Sequence, residues 1–411
     1  MAMNDMTIEQ VSTVLNAIVE QATGQQPNIA VTDTSSFVTV AQTALKTGYD
    51  NVINAISQVL SRTIFSIRPY SKKFKGLEVS AQRWGNHVRK LQVIDNTFEN
   101  DQRYDLTDGY SVDMYSVKKP KVAQTNFYGQ VTYQDHLTIF RDQLDVAFSS
   151  PTEFASFITM IMQNMADRIN QADEEFDRAA VANFIGGKIG TEAYLADNTL
   201  PGTGSIIHLL TEYNDYLGLE DDLEADPPVI KRYTSETIKE PTVYEPFIKW
   251  VFGRMSTIAQ FMSERSVKYH TNLTDKPIMR HTPATNARMY LFSPVLNDIK
   301  SSVLSDIYND ELLKFADHES VNYWQNIDAP DTIKVKAEYM LPNGTLDNSD
   351  ITQADVFGVI LDEEAIGTNR CSEWSERTPF NAAGGYSNIY WHWTRRYWND
   401  FTENGVVLLL D

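Results

Sequence analysis

One cysteine, Cys371, stands among 411 residues. A lone cysteine closes no disulfide within a chain, so no disulfide framework holds this fold and a reducing compartment suits it. Positive charge is also scarce: Lys+Arg 35 against Asp+Glu 55 leaves a net charge of -20. That balance excludes global nucleic-acid binding, which needs a cationic surface, and it favours solubility. No apolar run approaches the roughly 18 residues of a transmembrane helix, so a membrane partner is not expected. The opening MAMNDMTIEQ has neither a basic start nor an apolar core, unlike a signal peptide, and points to synthesis in cytosol.

Catalytic patterns are missing as well. The seven histidines (His87, His136, His208, His270, His281, His318, His392) are scattered singly, with no His-x-x-x-His pair and no Cys-x-x-Cys. A structural zinc site is therefore not expected. No phosphate-cradling glycine loop and no Gly-x-Ser-x-Gly occurs; Gly202-Thr203-Gly204-Ser205 has no following lysine. Cys371 has Arg370, Ser372 and Glu373 as neighbours and no histidine close in sequence to act as its base. The acidic run Glu220–Asp226 lacks the spaced pattern of a calcium loop and reads as solvated. The best enzyme reading is a carbohydrate-active one. It would use the run Asp362, Glu363, Glu364 and the rich supply of aromatics, Tyr 20, Phe 19 and Trp 7. Strand ends commonly carry solvated acids, however, and the expectation is a protein with no catalytic residue, cofactor or metal.

What is present is architecture. The hydrophobic content of 42% suffices for two or three cores. The stretch SSPTEFASFITMIMQNMADRINQADEEFDRAAVANFIGG, residues 149–187, reads as one helix of about 151–185. Ser150 is placed as N-cap, Pro151 as first helical residue, and Glu153 completes a Ser-x-x-Glu capping box. Gly186-Gly187 supplies a stop signal. Phe154, Ile158, Ile161, Met165, Ile169, Ala172, Phe176, Ala180 and Phe184 form its apolar stripe; Gln163, Asn164, Asp167, Asn170, Asp173, Glu174 and Asp177 form the opposite face. Residues 1–65 read as helical arm material, with a helix from Thr7 to about Ala22 and another from about Asp50 to Leu60.

Between arm and helix the charge inverts. Arg62, Arg68, Lys72, Lys73, Lys75, Arg83, Arg89 and Lys90 face a single acid, Glu78. Then Asp95, Glu99, Asp101, Asp105, Asp108 and Asp113 face only Arg103. Strand-like alternation follows from Val122 to Tyr133, with Val122, Gln124, Asn126 and Tyr128 on one face and Ala123, Thr125 and Phe127 on the other. Residues 66–134 thus read as a two-stranded excursion with a basic and an acidic arm. A two-stranded ribbon is marginal alone, so it leans on something else. Opposite-sign patches on one chain suit head-to-tail self-assembly. The basic segment with Phe65, Tyr70, Phe74 and Trp84 also allows a nucleic-acid groove, which the adjoining acidic arm disfavours.

Further along, a helix from Glu245 to Glu264 opens at Pro246, and another runs from Ser293-Pro294 to about Tyr308. Strands are expected at Met289–Phe292, Ile333–Leu341, Asp355–Asp362, Tyr386–Trp398 and Val406–Leu410. The fold class is α+β.

Several stretches, in this order, resemble the major capsid protein of tailed double-stranded DNA bacteriophages, the HK97 fold, in a short-tailed podovirus-like form. SKKFKGLEVSAQRWGNHVRKL (71–91) resembles the start of that family's extended loop. Residues 149–185 resemble its spine helix, MYLFSPVLNDIK (289–300) the axial-domain strand entering a helix, NAAGGYSNIYWHWTRRYW (381–398) the peripheral-domain return strand, and NGVVLLLD (404–411) the closing strand. The resemblance implies an N-terminal arm (1–65), an extended loop (66–135), a peripheral domain (136–190 and 371–400) and an axial domain (191–370, with 191–245 a possible insertion) closed by 401–411. It implies pentamers and hexamers forming an icosahedral head around double-stranded DNA, assembled in the host cytoplasm with a scaffolding protein and a portal. Lys72, Lys73, Phe74, Lys75, Arg83, Trp84, Arg89 and Lys90 are expected to contact the neighbouring subunit. An encapsulin-type compartment shares the fold and remains the alternative shell.

Overall fold

A computed structural model describes residues 15–20, 38–42, 52, 74–78, 87–94, 115, 117, 119, 121–148, 151–221, 229–273, 278–294, 297 and 318–411. Of the two N-terminal helices expected from the sequence only residues 15–20 and 52 are described, and a further helical stretch lies at 38–42; Leu15, Ile18, Val19, Val40, Ala41 and Val52 are buried there. The helix expected from Ser293 to Tyr308 lies mostly outside the described residues.

The organising element is a helix of 47 residues, α2 (Pro151–Asp197), preceded by the short α1 (Arg141–Ala147). At about 1.5 Å per residue α2 spans about 70 Å. Pro151 is its first residue, as the sequence suggests. Ser150 lies outside the described residues, and so do the side-chain contacts of Glu153.

The expected stop at Gly186-Gly187 is wrong, for a packing reason. A hairpin of β7 (Ile333–Met340) and β8 (Leu346–Gln353) lies across the helix there. A methyl group at Gly186 would sit 2.7 Å from Val335, and one at Gly187 would sit 2.4 Å from the Phe401 ring. The helix backbone must come this close for the hairpin and Phe401 to seat. The glycines are therefore a notch in a continuing helix; the hydrogen bonds and buried contacts outweigh the roughly 1 kcal/mol helix penalty of each glycine.

Three sheets surround α2. The first half of the helix carries a three-stranded antiparallel sheet ordered β10-β11-β3, from β3 (Val131–Phe140), β10 (Ile366–Arg377) and β11 (Tyr386–Asn399). Ile389, Trp391 and Trp393 of β11 pack on Phe154, Phe157, Ile161 and Met165 of the helix, together with the N-terminal residues named above. The second half meets a five-stranded mixed sheet ordered β4-β12-β9-β5-β6, from β4 (Ile206–His208), β5 (Ala287–Phe292), β6 (His318–Val321), β9 (Val356–Asp362) and β12 (Gly405–Leu409). Alternation along these strands feeds two cores. Tyr290, Val359, Leu361, Val407 and Leu409 face α2, whereas Met289, Leu291, Ile360, Val406 and Leu408 face the helices α3 (Leu209–Leu217) and α4 (Pro241–Ser263). Each fully buried aliphatic side chain contributes about 1.5–3 kcal/mol. The apolar runs in β9 and β12 are thus strands buried on both faces.

Two boundaries move. The helix expected to open at Pro246 opens at Pro241, and Pro246 sits inside it. Proline costs nothing at N1, and only the residue four back, Thr242, loses an amide partner to Pro246. The alternation read from Val122 to Tyr133 splits into β2 (Lys121–Tyr128) and β3, which belong to different sheets. Gly129, with φ 149, sits at the break in a conformation side-chain-bearing residues rarely adopt.

Candidate inter-subunit surface

The two-stranded excursion is real. β1 (His87–Ile94) pairs antiparallel with β2, His87 opposite Tyr128 and Ile94 opposite Lys121. Because side chains alternate, the register sorts the ribbon into two faces. The inner face holds Val88, Lys90, Gln92, Thr125 and Phe127. It lies on the chain's own body: the Gln92 amide donates to Thr402 Oγ1 at 3.0 Å, and the Phe127 ring lies 6.3 Å from Trp398. The outer face holds His87, Arg89, Leu91, Val122, Gln124, Asn126 and Tyr128. Leu91 and Val122 are each 58% exposed and Tyr128 71%. Three large side chains so exposed on one ribbon face offer a contact surface.

Lys90 fastens the ribbon's base. Its ammonium lies 2.7 Å from Glu403, 3.0 Å from Asp400 and 3.0 Å from Glu364. Burial opposes its charge, but Asp400 and Glu403 more than offset that and hold Lys90 above the ordinary lysine range. Arg280 joins from the other side, 3.1 Å from Glu403. The carboxylates belong to the turn linking β11 to β12 and to the turn after β9. Lys90 therefore finds its acids in its own chain, which corrects the expectation that it meets a neighbour's. Phe74 is corrected likewise. It is fully buried, its ring centre 5.0 Å from that of Tyr290 and tilted against it beneath the five-stranded sheet, because the short helical turn Lys75–Leu77 tucks its apolar flanks inward. Arg89 is exposed on the outer face. Lys72, Lys73, Arg83 and Trp84 lie outside the described residues, as do the side-chain contacts of Lys75.

Beneath the latch, α2 supplies a buried lysine that sequence reasoning missed. Lys188 is 1% exposed, and its ammonium points at the carbonyls of Tyr269, Phe401 and Glu403 at 3.2–3.5 Å. Burial, only partly opposed by Asp400, Glu192 and Glu403, lowers its pKa to about 7. Higher along the same helix, the polar face opposite the apolar stripe carries an ionic seam. Asp173 takes Arg395 at 2.7 Å and Arg370 at 3.0 Å, and Arg370 also reaches Glu78 at 3.2 Å. Glu174 holds Arg178, whose guanidinium lies 3.9 Å from the Tyr323 ring centre. The two Asp173 pairs tie the helix to β11 and to β10. Their signal in the sequence was the arginine pair Arg395-Arg396 inside an otherwise aromatic strand.

The carboxylate run has structural partners. Asp362 accepts from Thr282 at 2.7 Å, Glu363 from Asn286, and Glu364 meets Lys90. They do not face one another across a cleft, as a glycosidase pair would. Cys371 is buried, its thiol donating to Asn369 Oδ1 at 3.9 Å. Among the described residues no group of three or more His, Cys, Asp or Glu could hold a metal, and no helix is long and apolar enough to cross a membrane.

A long helix flanked by a three-stranded and a five-stranded sheet, with a protruding ribbon, is an HK97-type capsid subunit fold. Among solved structures, the capsid of Staphylococcus phage Andhra matches with TM-score 0.50 at 9% identity, over 83% of this chain and 84% of that one. The capsid of the Cyanophage P-SCSP1u matches more loosely, with TM-score 0.44 at 12% identity over 84% and 90%. Residues 15–215 match the family model of the Phi29-like phage major capsid protein. No curated protein matches the sequence. Over residues 15–215 the chain is similar to phage major capsid proteins, and its fold is that of a phage capsid subunit, which supports a structural role in the virion shell.

Proposed function

We propose that this subunit assembles with copies of itself into pentamers and hexamers of an icosahedral, short-tailed-phage head. That head encloses double-stranded DNA and assembles in the host cytoplasm with a scaffolding protein and a portal, and the subunit performs no catalysis of its own. The three-stranded sheet and the first half of α2 act as the peripheral domain, the five-stranded sheet with α3 and α4 as the axial domain. The observation that carries this reading is the ribbon, latched at its base to its own chain and bare on its outer face. Leu91, Val122 and Tyr128 gain burial only when another subunit lies over or under them. Lys72, Lys73, Lys75, Arg83 and Arg89 then meet acids of that neighbour while Trp84 supplies buried contact, an arrangement the net charge of -20 supports.

Sedimentation and negative-stain microscopy test the proposal on the protein mixed with its scaffold-bearing lysate. Closed particles, tubes or sheets of rings are expected. Changing Lys72, Lys73 and Lys75 together to Glu is expected to leave thermal unfolding unchanged and to abolish particles. Normal particles from the triple variant would refute the role of the basic arm.

A further inference from the structure

The outer face of the three-stranded sheet, turned away from α2, has a composition its own fold does not require. Register places Trp374, His392, Tyr390 and His136 side by side across β10, β11 and β3. Their rings form a continuous row: Trp374 to His392 at 3.8 Å, His392 to Tyr390 at 6.5 Å, Tyr390 to His136 at 5.2 Å. Phe140 and Tyr386 add an edge-on pair at 5.8 Å where β11 begins. Trp374 is 48% exposed and Phe140 46%.

Charge is nearly absent from this face. Of the side chains that the three strands turn to it, Glu376 is the sole carboxylate, and the one arginine that the alternation of β11 brings to this side, Arg396, is buried. Its small polar groups satisfy one another: Thr138 donates to Asn388 at 2.7 Å, and Thr394 lies 3.2 Å from both Thr132 and Ser372. Covering such a face strands few polar atoms and desolvates one charge. It is also stiff, since Trp391 and Trp393 on the same strand are packed into the core beneath.

We propose that this aromatic face is a contact between copies of the chain, covered by a second subunit in the shell. The inference rests on the shell reading above. The argument for a second copy is electrostatic. Two subunits that each carry -20 approach at least cost where carboxylates are missing, and this face lacks them. Aromatic enrichment with charge depletion is the composition of interface cores.

Hydroxyl-radical footprinting of the wild-type chain, read by mass spectrometry at Trp374 and Tyr390, compares free subunits with purified particles. Oxidation at least about three-fold lower in particles is expected for half-exposed rings that become buried interface core. Equal oxidation in the two states overturns this proposal and leaves the shell reading intact. A wild-type chain that forms no particle overturns both. Trp374→Glu, which adds a carboxylate to the contact, is expected to keep its thermal midpoint and to lose particle formation; normal particles from a folded Trp374→Glu overturn the proposal.

Discussion

Replacing Lys188 by methionine is expected to stabilise the subunit near neutral pH, and by an amount that depends on pH. The Lys188 pKa is lowered from 10.5 to about 7 by burial. Each tenfold loss of proton affinity corresponds to about 1.36 kcal/mol, so folding with this lysine costs about 4 kcal/mol at pH 7. The sign follows from the charge. A base whose folded pKa is lowered folds neutral, so the cost is absent above the unfolded pKa. It grows as pH falls from 10.5 toward 7 and is complete below that. Methionine matches the stem in size and keeps the contact with the Phe184 ring, 5.3 Å from the Lys188 ammonium. Two of the three carbonyls keep another donor: Phe401 O accepts from the Thr271 amide and Tyr269 O from the Gly405 amide, both at 2.8 Å. The Glu403 carbonyl loses the Lys188 donor, which costs about 1–3 kcal/mol. The net expectation is Lys188→Met more stable by about 1–3 kcal/mol at pH 7. Urea unfolding of the unassembled subunit measures it. The decisive quantity is the difference between variant and wild type at two pH values, which is expected to move by about 3 kcal/mol toward the wild type between pH 7 and pH 9.5. A difference independent of pH would refute the reasoning.

Gly187→Ala is expected to lower stability by about 1–3 kcal/mol in urea unfolding, because its methyl group would meet the Phe401 ring. An unchanged midpoint would show that the ring moves aside freely. Lys90→Met is expected to speed hydrogen exchange at the amides of Gln92 and Val93 by about ten-fold, the effect of losing about 1.4 kcal/mol of local stability at the latch. Unchanged exchange there would mean that Gln92 and Phe127 alone hold the ribbon down.

Local pattern decided much of this protein. The three-to-four spacing from Phe154 to Phe184 specified a long helix, and the two-residue alternation from Val122 to Tyr128 specified a strand and sorted its faces correctly. Backbone hydrogen bonding and the helical or pleated period are properties of a few neighbouring residues, so the sequence carries them directly. The apolar runs at 356–362 and 406–409 were legible as strands for the same reason, and the missing catalytic spacings turned attention from chemistry to assembly.

Tertiary structure decided what each signal was for. Gly186-Gly187 reads as a stop in isolation; the hairpin and Phe401 pressing on it make it a notch, since only long-range packing shows what occupies the space a Cβ would fill. Asp173, Glu174 and Asp177 read only as the polar face of the helix; arginines at positions 178, 370 and 395 bury two of them in ion pairs. Lys90 reads as an arm reaching outward and is an anchor reaching inward, because its three acids are more than 270 residues away along the chain. The sequence sets a side chain's charge and size; its partner depends on chain segments that meet only when the fold closes.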